Sequence, residues 1–232
     1  MQSQPIDFHP PATQADPILL PVTSTLFADR AERFASLAGQ HSLGDWLNFL
    51  ADLSRAQHEV LQGLPSLQLP DARTLEQART HAMPPLNASS LPRPAAWRLA
   101  LQQLVQRLQA TAPESGQAAL TALLAASESE LEALADMLLK GEPDMARAAE
   151  LPFVAAALQI VFTQLASQLE ASHLHKLDAP GVCPCCGSLP VASVVRLGSA
   201  INNLRYLHCS LCNTEWNVPR ATCTACDTDK EV

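Results

Sequence analysis

The chain has 232 residues, of which 47% are hydrophobic and 16% charged; it is long enough for a buried core and too apolar to be wholly disordered. Its net charge is −8. All of that charge lies in residues 1–182, because Arg196, Arg205, Arg220 and Lys230 cancel Glu215, Asp227, Asp229 and Glu231, so neither half offers the bulk positive surface that a nucleic-acid backbone demands.

Residues 1–23 read as an extended arm. Its prolines and the lack of a basic residue before Arg30 do not match the cationic start and apolar run of a signal peptide, and no targeting segment is expected in it. Helical periodicity begins with Phe27, Ala31, Phe34 and Ala38, and Gly39 reads as a stop. Ser42 with Asp45 resembles a capping box, followed by an apolar face of Leu43, Trp46, Leu47, Leu50 and Leu53 that ends near Gly63. Asp71 caps a short helix to about His81. Met83–Pro94 holds four prolines and cannot continue a helix. It reads as a loop or packed strap and as the weak point of the first half.

Trp97, Leu101, Leu104, Val105 and Leu108 form the next helical face. Leu120, Leu123 and Leu124 form another, and Leu131, Leu134 and Leu138 a third that stops at Gly141. A last helix begins around Pro152, is apolar nearly all round and runs to about Lys176; it belongs at the centre of a bundle. The longest apolar run, Leu151–Leu158 with Ile160–Phe162 after it, is shorter than the roughly 18 residues of a membrane span. A cytoplasmic protein without membrane insertion is expected. No catalytic constellation, phosphate loop or nucleophile elbow interrupts these stripes.

Beyond Asp178–Gly181 the texture becomes β-like. Leu189–Leu197, Leu204–His208 and Thr214–Val218 read as three short strands, with a turn at Gly198–Asn203. The fold class expected is α+β. A mainly helical N-terminal domain spans 24–178, a rubredoxin-like or zinc-ribbon module 183–220, and the start of a second module, which reads as truncated, 221–232.

All seven cysteines lie in the last 50 residues, and six of them form C-x-x-C pairs. An odd, clustered set reads as metal binding in a reducing compartment rather than as a disulfide scaffold. Cys183/Cys186 and Cys209/Cys212 flank a predicted hairpin and make a four-thiolate site for Zn²⁺ or a single Fe. Such a closed site leaves no position for a substrate, so structural duty is the default. Gly187, Asn213 and Asp227 follow the three pairs, and all three residue types tolerate the left-handed backbone that such knuckles use. Cys223/Cys226 need two further ligands. Cys185 is either a spare reactive thiol or inert. No βαβ setting supports dithiol redox catalysis. His208 reads as a strand residue or a donor beside Cys209, and His173 and His175 as helix-end residues, with metal ligation the alternative. Trp216, Arg205 and Tyr206 either pack the ribbon or form a contact surface.

Cys183-Pro-Cys-Cys-Gly-Ser-Leu-Pro-Val191, Leu204-Arg-Tyr-Leu-His-Cys-Ser-Leu-Cys-Asn-Thr-Glu-Trp216 and Cys223-Thr-Ala-Cys226 together resemble the formate dehydrogenase accessory protein family (FdhE). The resemblance implies a cytoplasmic maturation factor and not an enzyme. Its partner would be the catalytic subunit of a respiratory formate dehydrogenase, bound before export. It also implies rubredoxin-like modules able to carry iron, with Cys183, Cys186, Cys209 and Cys212 in the first and Cys223 and Cys226 beginning the second. The family pattern continues to a fourth C-x-x-C pair that this sequence lacks. The alternatives from other classes are a zinc-ribbon nucleic-acid binder, which needs clustered basic residues, and a rubredoxin-like electron carrier.

Overall fold

The computed structural model describes residues 15–142, 144–196, 204–226 and 228. The expected turn at 198–203, residue Asp227 and the first part of the arm lie outside them. Seven helices run in order: α1 (Leu26–Ala38), α2 (Gly44–Gly63), α3 (Ala72–Thr80), α4 (Ala96–Leu108), α5 (Glu114–Ala125), α6 (Glu128–Lys140) and α7 (Leu151–Ser167). Four strands, β1 (Ile18–Leu19), β2 (Pro190–Arg196), β3 (Leu204–Cys209) and β4 (Glu215–Val218), form one antiparallel sheet in the order β1-β4-β3-β2. The α+β class expected from the sequence is the observed one.

The helix ends follow local chemistry. Asp71 accepts a hydrogen bond from the Thr74 N–H and caps α3. Ser127 and Glu130 form a reciprocal capping box on α6, and Gly141, at φ 72°, closes that helix in the left-handed conformation. The expected Ser42/Asp45 box does not form. α2 starts one residue later than that cap implies, at Gly44, with no side-chain cap. The α1–α2 turn is too tight for the box: the Gly44 N–H bonds to the His41 carbonyl at 2.9 Å, and a Cβ on Gly44 would sit 2.8 Å from the Ala38 oxygen.

α7 is the central helix, with twelve of its side chains buried. It lies beside α2 in the same direction. Phe153 meets Phe49 edge-on, and Gln57 reaches the Ala156 carbonyl and the Gln159 side chain. The expected face of α2 is therefore shifted: Leu43 and Trp46 are exposed, and Phe49, Leu53, Ala56 and Val60 line the core. The side chains through which α7 meets α2, Phe49 and Gln57, lie on the buried face, and Leu43 and Trp46 do not. α7 also stops at Ser167 rather than near Lys176. Leu169 is the last buried residue of its stripe, and Glu170 turns extended to cap a short 3₁₀ turn at Ala171–His173.

The Met83–Pro94 segment is a strap, and it is not weak. Leu86 is fully buried. The Leu86 N–H donates to the Cys185 carbonyl and the Ala88 N–H to the Cys186 carbonyl, both at 2.9 Å. At the far end Arg93 pairs with Glu132 and Asp136, while the Trp97 indole N–H donates to Glu132 at 2.9 Å. The strap thus spans from the bundle to the first cysteine knuckle.

β1 comes from the segment read as an arm. Ile18 pairs with Trp216, and the Asn217 N–H donates to the Pro17 carbonyl at 2.9 Å. One apolar core continues from the helices through Leu207, Trp216 and five cysteines. No helix among the described residues is long and apolar enough to cross a membrane.

Leu86→Ala removes a fully buried side chain at the strap's centre. We expect it to lower the unfolding free energy by about 3 kcal/mol, read by urea denaturation.

Candidate metal centre

Two loops of the same build carry the cysteines. In the first, the Cys183 N–H donates to the Ser188 carbonyl and the Gly187 N–H to the Cys183 carbonyl, both at 2.9 Å. Gly187 sits at φ 80°. In the second, the Cys209 N–H donates to the Thr214 carbonyl at 3.0 Å. The Leu211 and Cys212 N–H groups point at the Cys209 sulfur, at 3.3 and 3.4 Å. Asn213 takes φ 58°. The left-handed residue expected after each of these two pairs is present.

The hairpin β2–β3 and the β3–β4 turn bring the two loops face to face. The Cys183 and Cys212 sulfurs are 3.6 Å apart, and those of Cys186 and Cys209 3.4 Å. All four sulfurs lie within 4.8 Å of one another, all four residues are buried, and together they can hold one metal ion. A regular ZnS₄ tetrahedron with bonds near 2.3 Å has sulfur–sulfur edges of about 3.8 Å. The group matches that size.

Burial also makes the sulfurs poor thiolates on their own. It raises the Cys183 and Cys212 thiols well above their ordinary value. Cys209 is raised as well: its bond to Cys183 pulls it down, but Cys186, Cys212 and burial push it up further. Burial works against ionisation of Cys186 too, but the other three thiols donate to it and its pKa falls. A cluster of this kind carries one thiolate readily and four only with a cation present.

Cys223 and Cys226 are not brought to this group. The Cys223 N–H donates to the Thr228 carbonyl at 2.9 Å, the bond that opens both other knuckles. The loop is therefore knuckle-shaped, with Cys226 exposed. The Ala225 and Cys226 N–H groups lower the Cys223 thiol, and Arg205 adds to this. Arg205 holds the loop by donating to the carbonyls of Pro219, Arg220 and Thr222, the last at 2.7 Å. Gly181 lies under it, because any Cβ there would be 2.2 Å from the Thr224 oxygen.

Cys185 is fully buried and outside the four-sulfur group; its carbonyl holds the strap. His208 faces Glu215 at 3.3 Å rather than a sulfur, and burial lowers its pKa against the pull of that carboxylate. His173 accepts from the Glu170 N–H, and neither it nor His175 joins the cluster. Trp216 is buried and donates to the Pro180 carbonyl at 2.8 Å, and Tyr206 donates to the Asp16 carbonyl at 2.8 Å. These residues pack and bond the ribbon.

Sequence reasoning missed the outer supports of the centre. Asn213 donates to Thr163 of α7 at 2.8 Å and accepts from Arg30 of α1 at 2.7 Å. Gln159 of α7 donates to the Ser210 carbonyl at 2.8 Å. These partners lie 50, 183 and 51 positions apart in the chain, and no local pattern announces them.

The fold and site define a helical bundle carrying a four-cysteine ribbon. The family model described as FdhE, N-terminal, matches residues 15–179, and that of the FdhE central domain matches 182–220. The FdhE homolog of Serratia proteamaculans is 39% identical over 93% of this chain and 70% of its own length. That of Pseudomonas aeruginosa is 38% identical over 95% of this chain and 72% of its own length. The crystal structure of the FdhE protein from Pseudomonas aeruginosa superposes with a TM-score of 0.83 at 37% identity, covering 93% of this chain and 74% of that one. The chain belongs to the FdhE family, the one its cysteine motifs resemble.

Gly187→Ala meets only ordinary contacts, the nearest being Pro84 at 3.5 Å, but forces a Cβ onto φ 80°. We expect a loss of about 1–2 kcal/mol in thermal or urea unfolding, arising from backbone strain.

Proposed function

We propose that this protein is a non-catalytic cytoplasmic accessory factor. It binds the catalytic subunit of a respiratory formate dehydrogenase and supports its assembly or activation before export. The observation that carries this reading is membership of the FdhE family across nearly the whole described chain. The four-sulfur centre supports it from the chemical side. Four buried cysteines fill a tetrahedron and leave no open position for a substrate. A centre of that kind stabilises a small sheet with little core of its own.

In this reading Cys183, Cys186, Cys209 and Cys212 are the ligands of Fe or Zn. Cys223 and Cys226 supply half of a further site. The knuckle backbone positions the sulfurs, and α7, α1 and the strap brace the knuckles from behind. When bound, the metal supplies a cross-link between the two loops.

Two experiments test this. In the first, the protein is used to capture a formate dehydrogenase catalytic subunit, and the Cys183→Ser/Cys186→Ser variant is run beside it. The metal-loaded protein is expected to retain the subunit, and the variant to lose its metal and a large part of the capture. Failure of the metal-loaded protein to capture any catalytic subunit overturns the accessory reading; full metal content in the variant overturns the ligand set.

The second is chelator competition at several pH values. The thiols of Cys183, Cys209 and Cys212 are held protonated well above the ordinary thiol range, and a metal must displace those protons. Apparent affinity should therefore rise with pH and fall in acid. A pH-independent affinity would mean that ligands other than these thiols hold the ion.

A further inference from the structure

Between the ribbon and the bundle lies an open cleft of about 710 Å³. The face of the hairpin bearing Ala192, Val194 and His208 forms one wall. Arg30, Phe34 and Leu50 stand on the other, with Arg33 at the rim. No carboxylate is among the lining residues. Neither Arg30 nor Arg33 has an ion-pair partner among the described residues, in a chain whose negative charge all lies in this helical half.

Arg30 is half-buried. It sits over the Phe27 ring at 5.1 Å and donates to the neutral amide oxygen of Asn213 at 2.7 Å. Burial lowers its pKa, which is the signature of a cation short of counter-charge. Glu215 of β4, the register partner of His208, is already taken by Arg196 and His208. A guanidinium held by one neutral acceptor keeps the rest of its donor fork free, and that fork matches a carboxylate. The remaining walls are mostly apolar, interrupted by neutral polar groups such as Ser54, Gln57 and Gln159 and by His208, and Val191 and Val194 of β2 are exposed beside them. β2 is also an edge of the sheet.

We propose that this cleft binds an acidic peptide segment of a partner protein. A carboxylate lies against Arg30 and Arg33, and its apolar neighbours lie against Phe34, Leu50 and Val194. Two cations in an apolar trough suit such a segment better than a phosphate backbone, which is read by many spread charges and has no aliphatic body. The inference rests on the accessory reading for the existence of a protein partner. It adds where that partner is held and by what chemistry. It also couples the partner to the metal centre, because the Arg30 partner Asn213 is the residue that follows Cys212.

The test uses the full metal-loaded chain and two peptides, acetyl-Val-Glu-Val-Glu-Val-amide and its Gln counterpart, titrated by calorimetry. The Glu peptide should bind about tenfold or more tightly than the Gln peptide, and added salt should weaken it. Arg30→Gln should abolish that preference, and Arg33→Gln, at a rim residue outside the supports of the metal centre, should weaken it while metal content stays whole. Ala192→Trp, at an exposed position, fills the cleft without touching the core and should block both peptides. Equal binding of the two peptides, undiminished binding to Ala192→Trp, or displacement of the Glu peptide by inorganic phosphate overturns the inference. Capture of the formate dehydrogenase subunit by a protein that ignores the Glu peptide removes the cleft and leaves the accessory reading. Glu-peptide binding without subunit capture does the reverse.

Discussion

Two backbone hydrogen bonds, from Leu86 to Cys185 and from Ala88 to Cys186, join the strap of the helical bundle to the first cysteine knuckle. Much of the molecule follows from them. A knuckle's carbonyls point outward when its N–H groups turn in toward sulfur, and buried carbonyls must find donors. The proline-rich strap supplies two. It can do so because its prolines deny it a helix of its own, leaving a chain of turns whose N–H groups at Leu86 and Ala88 are free to donate outward. Its own position is fixed in turn by Leu86 in the core and by Arg93 on the acids of α6. The ribbon, too small to hold itself together without help, is therefore set against a bundle that has a large core.

The same logic governs the second knuckle. Its carbonyls and side chains are met by α7, through Gln159 on Ser210 and Thr163 on Asn213. α7 is apolar nearly all round, and two of its few polar residues, Gln159 and Thr163, stand where the ribbon lands. Thr163 is fully buried and would cost free energy there without a partner. The central helix is thus both the core of the bundle and the seat of the ribbon. A metal gripped by the knuckles would add to a scaffold already braced on three sides.

What was legible in the sequence was local. The C-x-x-C spacing with Gly187 and Asn213 after it predicted two knuckles, and both have the left-handed backbone that those residue types allow. Asp71 and Gly141 marked helix ends by their own chemistry. Where reading failed, the deciding partner was distant. The stripe on α2 reads with Leu43 and Trp46 inward, but the phase of an amphipathic face is set by its neighbours, and α7 meets α2 at Phe49 and Gln57. The strap read as a weak point for the same reason: its hydrogen-bond partners lie about a hundred residues away, and nothing in its own composition indicates a docked conformation. The third pair, Cys223 and Cys226, shows the converse. Its local signal is good and its loop is knuckle-shaped, yet a coordination site is a non-local object, and no facing pair is present among the described residues.

Arg30 ties these strands of argument together. It is a cation placed where desolvation opposes it, and the single neutral acceptor of Asn213 does not offset the loss of water that a carboxylate would. Such an arrangement is maintained either because a ligand completes it or because the geometry of Asn213 needs it. The two differ in consequence. If Arg30 served only to orient Asn213, a neutral donor such as Gln would suffice, and the cleft beside it would not need to be open, largely apolar and free of acids. The cleft has all three properties. The guanidinium therefore faces two ways, toward the knuckle that positions Cys212 and toward the groove. Occupancy of the groove by a carboxylate would tighten the Arg30–Asn213 contact by drawing the guanidinium into a fully paired state, and a loaded metal would hold Asn213 still to receive it. Under the proposed reading, binding at either place would lower the ordering cost at the other, which is the thermodynamic meaning of coupling between two sites.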